Sequence, residues 1–431
     1  MGEGYIDDVI IAPVSKTHLP FCQKVAKEAG QDFDIQSFMI PDTFSGMEYM
    51  PTIPFLREAQ KAGKTFDPTR VLEGKKVFLI KTSGPYQDPE KMVARVGFTA
   101  SAFKQYGAER VTVIATDLDN GRAERGPAED RKVSGYMNKV MPMAQMWKSC
   151  GVDKVISLHP HSPEIEKIFE KVFGCPNAFV GINPVYMYAD YLAKHSGLRS
   201  SGALENGGEN LIFLSFDRGI RTFMDNLADV MDMPNARRVR FNKARGVPNR
   251  PDMVEIDLCE DYPEGVLEGK CVVSWDDILD TGSGLGKIYR WIEENYSGHK
   301  LGKPAGYYFG FTHPVLSGQA FPQVQMRICN EMPKMREIIF TNSRPYIDDH
   351  LDFYGLKAVA TILRVAKLFA HVIKAELGTA SEIEEAHRIL FENNMLQGNV
   401  YDVKRSSSYA SKVGSGLPPG FVESLKLKEN N

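Results

Sequence analysis

The chain has no run approaching the about 18 consecutive apolar residues that a membrane-spanning helix needs, so no span is predicted. Its first residues, MGEGYIDDVIIAP, lack the basic region and long apolar run of a secretory leader. Met1-Gly2 also lacks the downstream Ser or Thr of a myristoylation site. Excess positive charge is missing too. With a net charge of −3, any grip on nucleic-acid phosphates would need a local patch, and no nucleic-acid or membrane partner is expected. Cys22, Cys150, Cys175, Cys259, Cys271 and Cys329 form no C-x-x-C pair. That excludes the usual zinc and disulfide frameworks and fits a reducing, cytoplasmic setting.

What is present is ordinary globular composition over 431 residues, 43% hydrophobic and 25% charged, enough for two or three domains. Short apolar runs alternate with amphipathic stretches: DDVIIAPV then HLPFCQKVAKEAG, KKVFLIKTSG then PEKMVARVGFTASAFKQYG, with RVTVIATDL and KVISLHPH further on. Strand followed by helix, repeated, predicts an α/β fold with parallel sheets. The chain also repeats itself. LEGKKVFLI from Leu72 leads through Thr82-Ser83-Gly84 into a helix, and LEGKCVVSW from Leu267 leads through an acidic, Gly-rich segment into another. A period of about half the chain points to two related α/β domains. The expected limits are residues 1–170, 171–380 and an extension from 381 to 431. Residues 49–72 and the Ser/Gly/Pro-rich tail read as additions to this plan.

The second copy contains the most informative stretch, SWDDILDTGSGL from Ser274 to Leu285. Its centre, Asp280-Thr281-Gly282-Ser283, is spelled like the catalytic turn of an aspartic protease. Such an enzyme needs two aspartates sharing a proton on β-rich lobes, and this chain has one Asp-Thr-Gly and no Asp-Ser-Gly. The strand-then-helix setting favours an anion site instead. Backbone N–H groups and the helix dipole attract phosphate, and Gly282 and Gly284 let the backbone come close. Asp276 and Asp277 suit sugar hydroxyls or Mg²⁺.

VVSWDDILDTG, from Val272 to Gly282, resembles the phosphoribosyl-pyrophosphate loop of type I phosphoribosyltransferases and of ribose-phosphate diphosphokinases. Further segments, in family order, resemble the diphosphokinases. Phe44-Ser45-Gly46-Met47-Glu48 resembles an adenine-contacting F-S-x-x-E, with an aromatic to stack and a carboxylate to accept. Arg122-Ala123-Glu124-Arg125 resembles the R-Q-D-R segment on ATP phosphates. His159-Pro160-His161 resembles the D-L-H segment that places His161 at metal and ATP, and Ser215-Phe216-Asp217-Arg218-Gly219 resembles S-P-D-x-G, whose Asp binds Mg²⁺. Lys243-Ala244-Arg245 resembles the K-x-R flexible catalytic loop. Phe311 to Gly318 and Ile339 to Ser343 resemble the closing T-H-G-x-x-S-G and V-T-N-T strands.

The resemblance implies two type I phosphoribosyltransferase-like domains, each a mainly parallel sheet flanked by helices. It also implies transfer of the diphosphoryl group of Mg-ATP to the 1-hydroxyl of ribose 5-phosphate in a homo-oligomer. Lys243, Arg245 and Arg122 are then catalytic, and Phe44, Glu48, Arg122, Arg125 and His161 bind ATP. Asp276, Asp277, Asp280, Thr281, Gly282, Ser283 and Gly284 bind the ribose phosphate, while His161 and Asp217 hold Mg²⁺. The sequence departs from the family at ligand contacts: Ser283-Gly284 replaces a terminal Gly-Thr, and Gly46, Ala123 and His159 replace polar residues. A larger acceptor, ADP-ribose, and a non-catalytic regulatory homologue are the alternative readings.

Overall fold

The computed structural model describes residues 9–30, 40–43, 49–52, 61–63, 65, 67–84, 87–126, 137–245, 254–295, 301–318, 320–350, 359–377 and 402–405. Phe44, Glu48 and the tail beyond 405 lie outside these residues. The chain divides into two compact units, residues 1–183 with 366–393, and residues 184–365 with 394–431.

The first unit opens with β1 (Val9–Pro13), α1 (Leu19–Glu28) and an antiparallel pair, β2 (Ile40–Thr43) and β3 (Tyr49–Thr52). It continues with β4 (Lys76–Lys81), α2 (Pro89–Gln105), β5 (Arg110–Ala115), α3 (Val140–Ser149), β6 (Lys154–Leu158), α4 (Glu164–Phe173) and β7 (Phe179–Ile182). The sheet runs β1-β4-β5-β6-β7, every neighbour parallel. Its strands are buried along nearly their whole length, so they appear in the sequence as continuous apolar runs such as VIIAP and VFLI. Helix starts and stops follow local chemistry. Asp88 accepts from the amides of Glu90 and Lys91 with Pro89 next to it, and α4 ends at Gly174 in the left-handed region, φ 74°. Trp147 on α3 donates to the Val93 carbonyl of α2 at 3.0 Å, giving its indole N–H a partner inside the core.

The second unit holds α5 (Val185–Lys194), β8 (Leu211–Ser215), α6 (Arg221–Val230), β9 (Arg237–Arg245), β10 (Val254–Leu258) and β11 (Cys271–Leu279). It continues with α7 (Ser283–Asn295), β12 (Gly306–Pro314), α8 (Ala320–Met326), β13 (Met335–Thr341) and β14 (Ala360–Arg364). The chain then returns to the first unit with α9 (Ala366–Glu376), where Lys154 meets Glu376 at 2.6 Å, and β15 (Asp402–Arg405) rejoins the second sheet. That sheet runs β10-β9-β8-β11-β12-β13-β14-β15, parallel except for its two outer pairings.

The run β8-β11-β12-β13-β14 repeats the order of β1-β4-β5-β6-β7. The two LEGK copies lead into β4 and β11, which hold the same place in each run. The expected α/β class with two related, mainly parallel sheets is what the structure has. One detail differs: β11 does not end at Trp275, since Asp276 and Asp277 belong to the strand, which pairs with β12 as far as Leu279. The acidic pair therefore rides on rigid backbone, and the turn shrinks to Asp280-Thr281-Gly282.

Candidate functional site

The second unit gathers its polar residues where β8, β11 and β12 end. Between β11 and α7 the chain turns at Gly282, φ 65°, where an added methyl would also come within 3.0 Å of Val324. Both the left-handed backbone and the close neighbour call for glycine. The first bond of α7 runs from the Gly286 amide to the Gly282 carbonyl at 2.9 Å, so the amides of Gly284 and Leu285 lie ahead of the helical ladder. Thr281 Oγ1 and Ser283 Oγ are hydrogen-bonded at 3.2 Å, and the Ser283 amide donates to Thr281 Oγ1 at 3.4 Å. The turn thus presents backbone donors at the positive end of a 13-residue helix, the local chemistry that holds a phosphate. Asp280 faces sideways and accepts from both the amide and the hydroxyl of Ser317.

Ahead of the turn the charge is negative. Asp276 accepts from the Asp277 amide at 3.0 Å, and its carboxyl is raised well above the usual carboxylate range. Burial is the first cause, followed by repulsion from Asp277 and then from Asp217. Asp217, in the turn after β8, holds that turn by accepting from the amides of Gly219 at 2.9 Å and Ile220 at 3.4 Å, just ahead of α6. Three carboxylates whose charges oppose one another suit a cation or the hydroxyls of a diol. Among the described residues, no group of three or more His, Cys, Asp or Glu is already arranged around a metal position.

The floor beneath the acids is rigid. Trp275 stacks on Tyr188 with centroids 3.9 Å apart, and the Tyr188 hydroxyl meets Thr312 Oγ1 at 2.7 Å. Thr312 and His313 lie near the end of β12. Ser343 donates to the Thr312 carbonyl at 3.0 Å, so its single proton is spent and the His313 Nδ1, 2.9 Å away, is the donor of that pair.

Lys243 and Arg245 sit on backbone that differs from the flexible loop the resemblance implies. Their residues belong to β9 and pair with Ile256 and Val254 of β10. The reason is legible in RRVRFNKAR: Val239 and Phe241 alternate into the core while Arg238, Arg240 and Asn242 take the other face.

The first unit carries the remaining expected residues. Arg122 lies in a short turn entered through Asn120 in the left-handed region, φ 59°, and both Arg122 and Arg125 are exposed. Arg125 pairs with Glu124 at 3.3 Å. The backbone here is pinned from outside, by the Lys139 amide on the Ala123 carbonyl at 2.8 Å and by Asn138 on the Glu124 carbonyl at 2.6 Å. His161, exposed, follows β6 after His159, whose φ is 41°. Sequence reasoning missed what lies inside: Lys81, fully buried, donates to Ser83 at 2.6 Å and the Asp117 carbonyl at 2.5 Å and pairs with Asp119 at 2.8 Å.

No family model matches the chain. It is 25% identical over 276 residues to the ribose-phosphate pyrophosphokinase of Bacillus caldolyticus, covering 63% of this chain and 71% of that protein. The protein of that name from Ralstonia nicotianae is 24% identical over 309 residues, 71% of this chain and 82% of its own length. Among solved structures, phosphoribosylpyrophosphate synthetase from Mycobacterium smegmatis matches with a TM-score of 0.60 at 18% identity, covering 85% of this chain and 98% of that one. The chain is thus distantly similar to proteins named ribose-phosphate pyrophosphokinase, and it shares the fold of a phosphoribosylpyrophosphate synthetase.

Proposed function

From that similarity and the geometry of the site we propose that the protein transfers the β,γ-diphosphoryl group of ATP to the 1-hydroxyl of ribose 5-phosphate. The C1 oxygen bonds to the β-phosphorus, the bond from that phosphorus to the α-phosphate oxygen breaks, AMP leaves, and the hydroxyl proton passes to solvent. The observation that carries the reading is the pairing, on one rigid strand end, of the mutually repelling acids Asp276 and Asp277 with the amide-rich turn of α7.

In this reading Asp276 and Asp277 orient the 2- and 3-hydroxyls, while the backbone from Asp280 to Gly284 receives the 5-phosphate. Lys243, Arg245 and Arg122 neutralise charge on the migrating diphosphate and departing AMP, which is most of what a phosphoryl-transfer site must do. Arg122, Arg125 and His161 hold the nucleotide phosphates, and Phe44 and Glu48 hold its base. His161 and Asp217 would offer ligands to Mg²⁺, which when bound would polarise the β-phosphate and ease deprotonation of the attacking hydroxyl.

One observation supports a second acceptor. The hydroxyls of Thr281 and Ser283 are bonded to each other, and Ser283-Gly284 ends the turn where the family pattern has Gly-Thr. Fewer hydroxyl contacts to a terminal phosphate suit a larger 5-substituent, as in ADP-ribose. Incubation with Mg-ATP and each acceptor, followed by mass spectrometry, separates the readings. AMP with a product one diphosphate heavier than ribose 5-phosphate is expected. The heavier product from ADP-ribose alone would move the assignment to the second acceptor, and product from neither would overturn both in favour of a non-catalytic homologue.

A further inference from the structure

The flank of α6 and one face of β9 form a polar ladder. Arg221, Asp225 and Asp229 recur every four residues on the helix, and Asn242, Arg240 and Arg238 recur every two residues on the strand. Four helical residues rise about 6 Å and two strand residues about 6.6 Å, so the two rows stay in step over this length. Asp229 pairs with Arg238, and Asp225 pairs with Arg240 at 3.1 Å and with Arg238 at 3.7 Å. The last rung differs. Arg221 Nη2 donates to Asn242 Oδ1 at 2.8 Å, to the Phe241 carbonyl at 3.3 Å and to Cys259 Sγ, while the Cys259 amide donates to the Arg240 carbonyl at 3.0 Å.

This rung joins three parts of the site. Arg221 is the first residue of α6, directly after the turn held by Asp217; Asn242 precedes Lys243 on β9; and Cys259 follows β10, the strand paired with Lys243 and Arg245. We propose that Arg221 is a positioning residue, clamping the base of the β9–β10 pair so that Lys243 and Arg245 are held in register with the Asp217 turn. This inference rests on the reading of Lys243 and Arg245 as catalytic. A guanidinium suits the task because its fork offers several donors in one plane to acceptors on different elements. The outer rungs, Arg238 with Asp229 above all, are exposed pairs of the kind that contribute little to stability.

The test uses the full-length protein carrying Arg221→Met, Arg221→Lys, Asp229→Asn or Lys243→Ala, with ATP and ribose 5-phosphate as probes. Hydrogen exchange gives a readout independent of turnover. Arg221→Met should speed exchange at Phe241–Arg245 and Val254–Leu258 while the rest of the second unit stays protected. It should lower kcat about 10- to 100-fold with little change in either KM, as small misplacements of transition-state groups do. Arg221→Lys should restore part of kcat, and Asp229→Asn should match wild type. Unchanged exchange and kcat in Arg221→Met, with Lys243→Ala inactive, would overturn the clamp and leave the proposed function standing. Near-normal turnover in Lys243→Ala would overturn the catalytic reading instead, and the exchange data would still decide whether the clamp exists. Loss of protection throughout the second unit in Arg221→Met, with Arg221→Lys no better, would make Arg221 a fold residue and also overturn the proposal.

Discussion

Ser317 donates twice to one oxygen of Asp280, from its amide at 2.8 Å and from its hydroxyl at 2.7 Å. The contact ties the turn after β11 to the segment after β12, where the Val315 and Leu316 amides both reach the Leu279 carbonyl. A carboxylate held this way fixes the backbone of the turn, because Asp280 is its first residue. Ser317→Ala keeps the amide bond and loses the hydroxyl one. Under the proposed function we expect the KM for ribose 5-phosphate to rise about three- to tenfold, the range for losing one charge-assisted bond at an exposed site, with kcat nearly unchanged. Ser317→Thr should behave as wild type. Steady-state kinetics in which Ser317→Ala lowers kcat and spares KM would refute this role.

Gly310 is the packing partner that lets Trp275 lie flat above β12. A methyl at Gly310 would overlap the indole ring, and that ring is already held from its other neighbour by the Tyr188 stack. Gly310→Ala should therefore cost about 1–3 kcal/mol of stability, as overpacking does, and displace the neighbouring Asp276. A smaller ring opposite should relieve the strain, so Trp275→Phe in the Gly310→Ala background is expected to regain stability. Urea unfolding of the single and double variants measures this. A double variant less stable than the sum of both singles would show that ring overlap is not the cause.

The fold was legible because its strands are buried on both faces and spelled as mostly apolar runs bounded by polar residues, so β4, β5 and β6 fall where VFLI, VTVIA and VISL predict them. The turn at Gly282 was legible for a related reason: few residues other than glycine tolerate that backbone. Hidden from the sequence were partners brought together by the sheet. Tyr188 lies 87 positions from Trp275, and Arg221 lies 38 positions from Cys259, with no periodicity linking either pair. The reach of β11 through Asp277 was hidden for a different reason. Paired acids read as loop, yet the β12 ladder imposes strand geometry on them, an instance of tertiary pairing overriding local preference.

His18 gives a pH dependence outside the proposed site. It is buried, its Nδ1 faces the Thr82 amide at 3.5 Å and its Nε2 faces Gln87 at 3.2 Å, with Lys81 and Arg95 nearby. Burial first, then the charges of Lys81 and Arg95, pull its pKa from 6.5 down to about 3. The unfolded chain therefore takes up a proton below about pH 6.5 that the folded one refuses. His18 stability is fully present above that pH and is lost as pH falls toward about 3, at no more than about 1.4 kcal/mol per pH unit. In His18→Gln the acid limb of stability should flatten. Urea midpoints between pH 7 and pH 4 that fall equally steeply in wild type and variant would rule out His18 as the source.

Lys81 and Asp119 supply the sharpest contrast between the two related units. Counting from the shared LEGK, Lys81 stands on β4 where Asp276 stands on β11. At that strand end the second unit carries acids that repel one another, whereas the first carries a lysine neutralised from within. With Lys81 fully buried and Asp119 nearly so, removing one partner leaves an unpaired charge in the interior. Lys81→Met is expected to destabilise the protein by about 3–5 kcal/mol, and Asp119→Leu by a similar amount. The double variant, which restores charge balance, should be more stable than either single one, because desolvating two ions opposes most of what their attraction returns. Denaturant unfolding decides. A double variant as unstable as Lys81→Met alone would mean that the bonds of Lys81 to Ser83 and to the Asp117 carbonyl, and not the ion pair, hold this strand end together.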